Sequence, residues 1–159
     1  MKILGIDPGT AITGFGVIES DGQKHKLIDA GVIRTPAKQA DELRLETIFD
    51  DLAELIKSHK PDHCAVEQLF FAQNVTTAMA VSQARGVILL AIIKAGLDHS
   101  EYTPLQIKQA LTGYGRADKR QIQEMVRVML GLKSVPKPDD AADALAVAIT
   151  HANSVISRG

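Results

Sequence analysis

The stretch "KILGIDPGT", residues 2–10, decides the fold: a strand of Ile, Leu and Gly ends on Asp7 and breaks at once into Pro8-Gly9-Thr10. An ionised carboxylate at the end of a buried strand is costly unless a cation or hydrogen-bond donors meet it there. Working outward, "FGVIES" and "KLIDAGVIR" read as two further strands joined through the turn-forming "SDGQ", a three-stranded meander. The period then changes. Leu45, Ile48, Phe49, Leu52, Leu55 and Ile56 recur at three and four residues, one face of an amphipathic helix. "DHCAVEQ" returns to strand character, "TTAMAVSQARGVILLAIIKAG" is a long apolar helix ending at Gly96, and "HSEYT" is a short fifth strand. A brief helix around "PLQIKQAL", the loop "TGYGRA", a helix from Asp118 to about Leu130 and a last helix "DDAADALAVAITHANSV" complete the chain. A meander followed by alternating strands and helices predicts an α/β fold, a mixed five-stranded sheet flanked by helices on both faces.

The chain has 159 residues, 45% of them hydrophobic, enough for one domain over residues 1–159 and its core. A net charge of −1 announces neither nucleic acid nor membrane, so any basic surface is local. Cys64 is the one cysteine, which excludes internal disulfides and a cysteine-based zinc cluster and suits the cytoplasm. The apolar run "GVILLAIIKAGL" is interrupted by Lys94, short of a membrane span, and the N-terminal run is too short for a signal peptide, so no membrane association is expected.

Four acids stand out by their surroundings. Asp7 and Glu67 each end a strand, so neighbouring strands would bring both carboxylates to one edge. Asp140 and Asp143 are three apart, on one face of a helix a turn apart. Some have a structural reading when taken alone. Asp7 before Pro-Gly suits a turn, and Asp139 or Asp140 suits a helix start, with Asp139 the expected cap. Asp143 resists one, because an acid on so apolar a helix needs a partner. Together the four fit a divalent-metal site, since metals about 3.5–4 Å apart in phosphate chemistry need several carboxylate oxygens. The "DPGT" hairpin also fits the phosphate loop of actin-like kinases and ATPases, but these need two domains and a second glycine-rich loop.

With the distal acids included, the chain resembles, from end to end, the RuvC-type Holliday junction endonucleases of the RNase H-like group. The motifs that carry the resemblance are "GIDPGT", "VEQLFFAQN", "ARGVILLA", "TPLQIKQALTGYGRADKRQIQEMV" and "DDAADALAVAITH". It implies an RNase H-like fold and a Mg²⁺-dependent endonuclease that cuts four-way junction DNA by paired nicks, leaving 5′-phosphate and 3′-hydroxyl ends. Its acidic tetrad would fall on Asp7, Glu67, Asp140 and Asp143, holding two Mg²⁺ per subunit with Mn²⁺ as a substitute. Some relatives carry histidine where Asp140 stands. The resemblance also implies a homodimer and work alongside the branch-migration motor RuvA–RuvB.

Local charge supports a DNA-facing side. Residues 101–137 hold seven bases (Lys108, Arg116, Lys119, Arg120, Arg127, Lys133, Lys137) against three acids (Glu101, Asp118, Glu124), whereas residues 40–62 hold seven acids against three bases. Lys108, Arg116, Lys119 and Arg120 are the expected phosphate contacts, beside a helix start that Asp118 and Gln121 can cap. Of Phe70 and Phe71, Phe70 is the expected stacking platform for an unpaired base, and Tyr114 is a lesser DNA contact. Two symmetric cuts by one active site per chain require a twofold dimer, with the long helix as seam through Met79, Ala80, Ala84, Val87 and Leu90. A DNA-binding module of this fold without catalysis is the remaining alternative.

Overall fold

A computed structural model of the chain describes residues 1–68 and 75–156. Its elements run β1 (Lys2–Asp7), β2 (Ile12–Ser20), β3 (His25–Arg34), α1 (Asp41–His59), β4 (His63–Glu67), α2 (Val75–Lys94), β5 (His99–Tyr102), α3 (Pro104–Thr112), α4 (Lys119–Met129) and α5 (Asp139–Ile156). The strands form one five-stranded sheet in the order β3-β2-β1-β4-β5. β1, β2 and β3 pair antiparallel, as tight turns allow, while β1–β4 and β4–β5 pair parallel across helical crossovers. The predicted mixed sheet with helices on both faces is the fold observed.

Strand alternation sorts the sheet into two cores. Leu4, Ile6, Val17, Cys64 and Val66 face α1 and α2, meeting Ile48, Leu52, Ile56, Ala84, Ile88 and Ile92. Ile3, Ile18 and Ala65 face the opposite side, where α3, α4 and α5 supply Ile107, Leu111, Ile122, Val126, Leu145 and Ile149. The same alternation sets the direction of the acids. Asp7 follows Ile3 and Gly5 by twos, and Glu67 follows Ala65, so both belong to the α5 side of the sheet.

α5 lies close against β1 and β2 because glycines line its track. A Cβ on Gly5 would run into the Ala144 carbonyl, and one on Gly14 into the Asp140 carbonyl, both far inside contact distance. At Gly16 it would strike the Leu145 side chain. On its own side the helix answers with Ala141, Ala142, Ala144, Ala146 and Ala148, all buried. Small residues on both surfaces carry the first turn of α5 to the ends of β1 and β2.

α2 is apolar all round but only partly covered. Ala84, Ile88, Ala91 and Ile92 are buried against the sheet, whereas Val75, Met79, Leu90 and Ile93 are exposed, Met79 at 62% and Leu90 at 52%. Two expectations change here. Ala84 faces this chain's own core and is closed to a second copy, so the outward stripe runs through Val75, Met79, Gly86, Leu90 and Ile93. The helix also exceeds the run "GVILLAIIKAGL". Thr77–Lys94 is long and apolar enough to cross a membrane by length and composition, with 22% of it buried. Its buried residues, Ala84, Ile88, Ala91 and Ile92, pack on the sheet.

Candidate metal centre

Four carboxylates meet where β1, β4 and α5 converge. Asp7 and Glu67 end adjacent parallel strands, one step past the Ile6–Val66 pair. The turn after Asp7 is tied by the Thr13 hydroxyl, which donates to the Gly9 carbonyl at 2.8 Å. Asp140 and Asp143 occupy the first turns of α5. Asp7, Asp140 and Asp143 each offer an oxygen within 4.8 Å of the others, and Glu67 shares a hydrogen bond with Asp7.

Electrostatics shows what this convergence costs. Burial, and then the Glu67 carboxylate, push Asp7 up to about 9, with Asp143 and Asp140 adding to the shift. Glu67 is likewise raised by burial, its bond to Asp7 offsetting part of the rise. Asp143 is raised by burial too, with Lys119 working against it. A hydrogen bond between two carboxyl groups needs a proton between them, so without a cation the Asp7–Glu67 pair is held toward its protonated form. An all-oxygen donor set whose members are held toward their protonated forms by burial, and further by one another's charge, is the set hard divalent cations take. The residues therefore fit a hard divalent cation.

Cations flank the cluster on one side. A cavity of 250 Å³ beside it is lined by Glu67, Asp143, Lys108 and Lys119 over a floor that includes Ile107 and Ile122. Lys108 projects from α3, which begins with a reciprocal cap between Thr103 and Gln106 and Pro104 in its first turn. Lys119 opens α4, whose start is held by the expected reciprocal bonds: Asp118 N–H to Gln121 Oε1 and Gln121 N–H to Asp118 Oδ1, each 2.8 Å. Arg116 and Arg120 are exposed on the preceding loop and first turn, outside the cavity lining. Tyr114 is exposed in the same loop. Phe70 lies outside the described residues.

Asp139 is not the cap of α5. The Pro138 carbonyl accepts the first helical bonds, from Ala141 and Ala142, which puts Asp139 inside the first turn. Its carboxylate instead lies 3.4 Å from Lys119 Nζ, which is also 3.7 Å from Asp143 Oδ2. The opposite charges of "ADKR" and "DDAAD" were visible in the sequence, but their meeting depends on how α4 and α5 pack.

The family model described as "Crossover junction endodeoxyribonuclease RuvC" matches residues 3–151. The chain belongs to the RuvC family. A RuvC relative from Heliobacterium modesticaldum, "Crossover junction endodeoxyribonuclease RuvC", is 59% identical over 155 residues, spanning 98% of this chain and 96% of its own. The solved RuvC of Thermus thermophilus matches with a TM-score of 0.93 at 37% identity, covering 99% of this chain and 97% of that one. T. thermophilus RuvC in complex with Holliday junction substrate matches with a TM-score of 0.91 at 35% identity, covering 99% and 96%. RuvC membership agrees with the RNase H-like fold and displaces the actin-like reading of the "DPGT" hairpin.

Proposed function

We propose that this RuvC-family chain is a metal-dependent endonuclease that resolves four-way DNA junctions in recombination and repair by symmetric paired nicks. The observation that carries the reading is the convergence of Asp7, Glu67, Asp140 and Asp143 from three elements of the fold. In this proposal the four are the metal ligands and catalytic acids, with Asp7 and Glu67 giving up their shared proton on metal binding. Bound there, Mg²⁺, two ions per subunit with Mn²⁺ as a substitute, supplies charge that lowers the pKa of water and stabilises a leaving 3′-oxygen. The acids fix that charge at the strand ends. Lys108 and Lys119, on the rim of the adjoining cavity, hold phosphates next to the cut bond, and Arg116 and Arg120 extend the track along the backbone. Breaking the bond to the 3′-oxygen leaves 5′-phosphate and 3′-hydroxyl ends that a ligase can join. Phe70 stacks on an unpaired base at the junction centre.

Paired cuts need two sites in fixed relation, so the working unit is a twofold dimer. The exposed apolar stripe of α2 supports a seam through Met79 and Leu90, as an uncovered apolar face calls for a partner. Residues 1–159 act as one domain, in the cytoplasm, and the RuvA–RuvB motor is the expected partner on the junction. The test is cleavage of a labelled four-way junction beside a linear duplex of the same sequence, with Mg²⁺ or chelator, by the native chain and Asp7→Asn. Paired, ligatable nicks confined to the junction and abolished by chelator and by Asp7→Asn are expected. Binding without cutting would leave only a junction-binding module.

A further inference from the structure

Asp139 and Lys119 form a contact that the metal reading does not use. Lys119 reaches from the start of α4 across to α5, with Nζ 3.4 Å from Asp139 Oδ2 and 3.7 Å from Asp143 Oδ2. One of these carboxylates belongs to the clustered acids; the other, Asp139, is exposed and outside the group of oxygens that can share a cation. An ammonium this close to Asp143 does part of what a metal would do there, relieving the repulsion among acids that burial intensifies. It also opposes a metal, since two cations drawn to one carboxylate repel each other.

We propose that Lys119, steadied by Asp139, is the resident counter-cation of Asp143, and that a metal ion taking Asp143 must displace it. Asp139 is then a positioning residue, which keeps the ammonium over the site without ligating metal. The inference rests on the metal reading given above. Its consequence is coupling. A backbone phosphate arriving beside the acids offers the displaced ammonium a new anionic partner, so DNA favours metal binding, and metal favours DNA by the same factor.

The test is Mn²⁺ titration of the DNA-free protein, free Mn²⁺ being read by electron paramagnetic resonance, for the native chain, Lys119→Gln, Arg120→Gln, Asp139→Asn and Asp7→Asn. Lys119→Gln is expected to bind Mn²⁺ about threefold tighter, a size fitting an ion pair near the surface. Arg120→Gln makes the same charge change one residue away and is expected to leave affinity nearly unchanged. Asp139→Asn removes a negative charge, which by the field alone weakens cation binding; here it is expected to tighten it, because Lys119 is released. Equal effects of Lys119→Gln and Arg120→Gln, or weaker binding in Lys119→Gln, would overturn the proposal. Weaker binding in Asp139→Asn would overturn the positioning role. Asp7→Asn separates the two readings: if Mn²⁺ affinity does not depend on Asp7, the metal reading itself fails, and if it does, the Lys119 comparison judges this proposal alone.

Discussion

α5 and α2 are both long, apolar helices packed on opposite faces of one sheet, and they are covered in different ways. α5 is buried along Ala141–Ala152, Asp143 excepted, by the sheet behind it and by α3 and α4 beside it. α2 covers its face of the sheet with Ala84, Ile88, Ala91 and Ile92 and turns Met79, Leu90 and Ile93 to solvent. The chain itself covers the apolar surface of α5 but leaves part of that of α2 exposed. Under the proposed function, the chemistry goes with the first helix and assembly with the second. A rigid, closely packed helix can hold Asp140 and Asp143 against Asp7, as preorganised chemistry requires.

The sharpest way to break this division is at the acids. Asp7→Asn or Asp143→Asn is expected to lower junction cleavage about a thousandfold or more, as a lost metal ligand removes several kcal/mol of transition-state stabilisation, while circular dichroism shows the fold retained. A fall of only a few-fold would detach α5 from catalysis. Next comes the packing that holds the helix in place. Gly14→Ala drives a methyl group into the Asp140 carbonyl, so α5 must lift from the sheet. Denaturant titration should show a loss of about 1–3 kcal/mol, and cleavage should fall about a hundredfold through misplacement of the acids.

A third effect is graded by pH. Burial, and then the neighbouring Glu67, push the Asp7 carboxyl of the folded, metal-free chain up to about 9, against an ordinary value of 3.8. Between those values the native state binds more protons, so raising the pH favours unfolding, with a slope of at most about 1.4 kcal/mol per pH unit for one proton. Thermal melts in chelator from pH 5 to 8 should show stability falling as pH rises, and Asp7→Asn should flatten the trend. A rising trend in the native chain would mean that the acids are already neutralised in some other way. The smallest effect on the fold is expected at α2. Met79→Glu with Leu90→Glu should change monomer stability by less than about 1 kcal/mol, since both positions are exposed. Sedimentation should nonetheless show the proposed dimer dissociating. A large loss of stability in the monomer would make the stripe part of the chain's own core.

Much of this was legible in the amino-acid order because it depends on short-range periodicity. Alternation along "KILGID" and "CAVE" sends Asp7 and Glu67 to one side of a sheet, and the spacing of Asp140 and Asp143 aligns them on a helix. "ADKRQ" announced a capping box that is present. What stayed hidden has a common cause. A helix that is apolar all round has no polar face to mark its direction, so only packing shows that Ala84 turns inward and Met79 outward. The glycines of "GFG" look like strand breakers until α5 lies across them. Asp139 reads as a cap until α4 brings Lys119 beside it. Residue order alone therefore determined the elements, the direction of the strand acids and the family. Tertiary structure alone decided how near the helices approach, which apolar face is left over and which charges meet, because these depend on contacts between segments far apart in the chain.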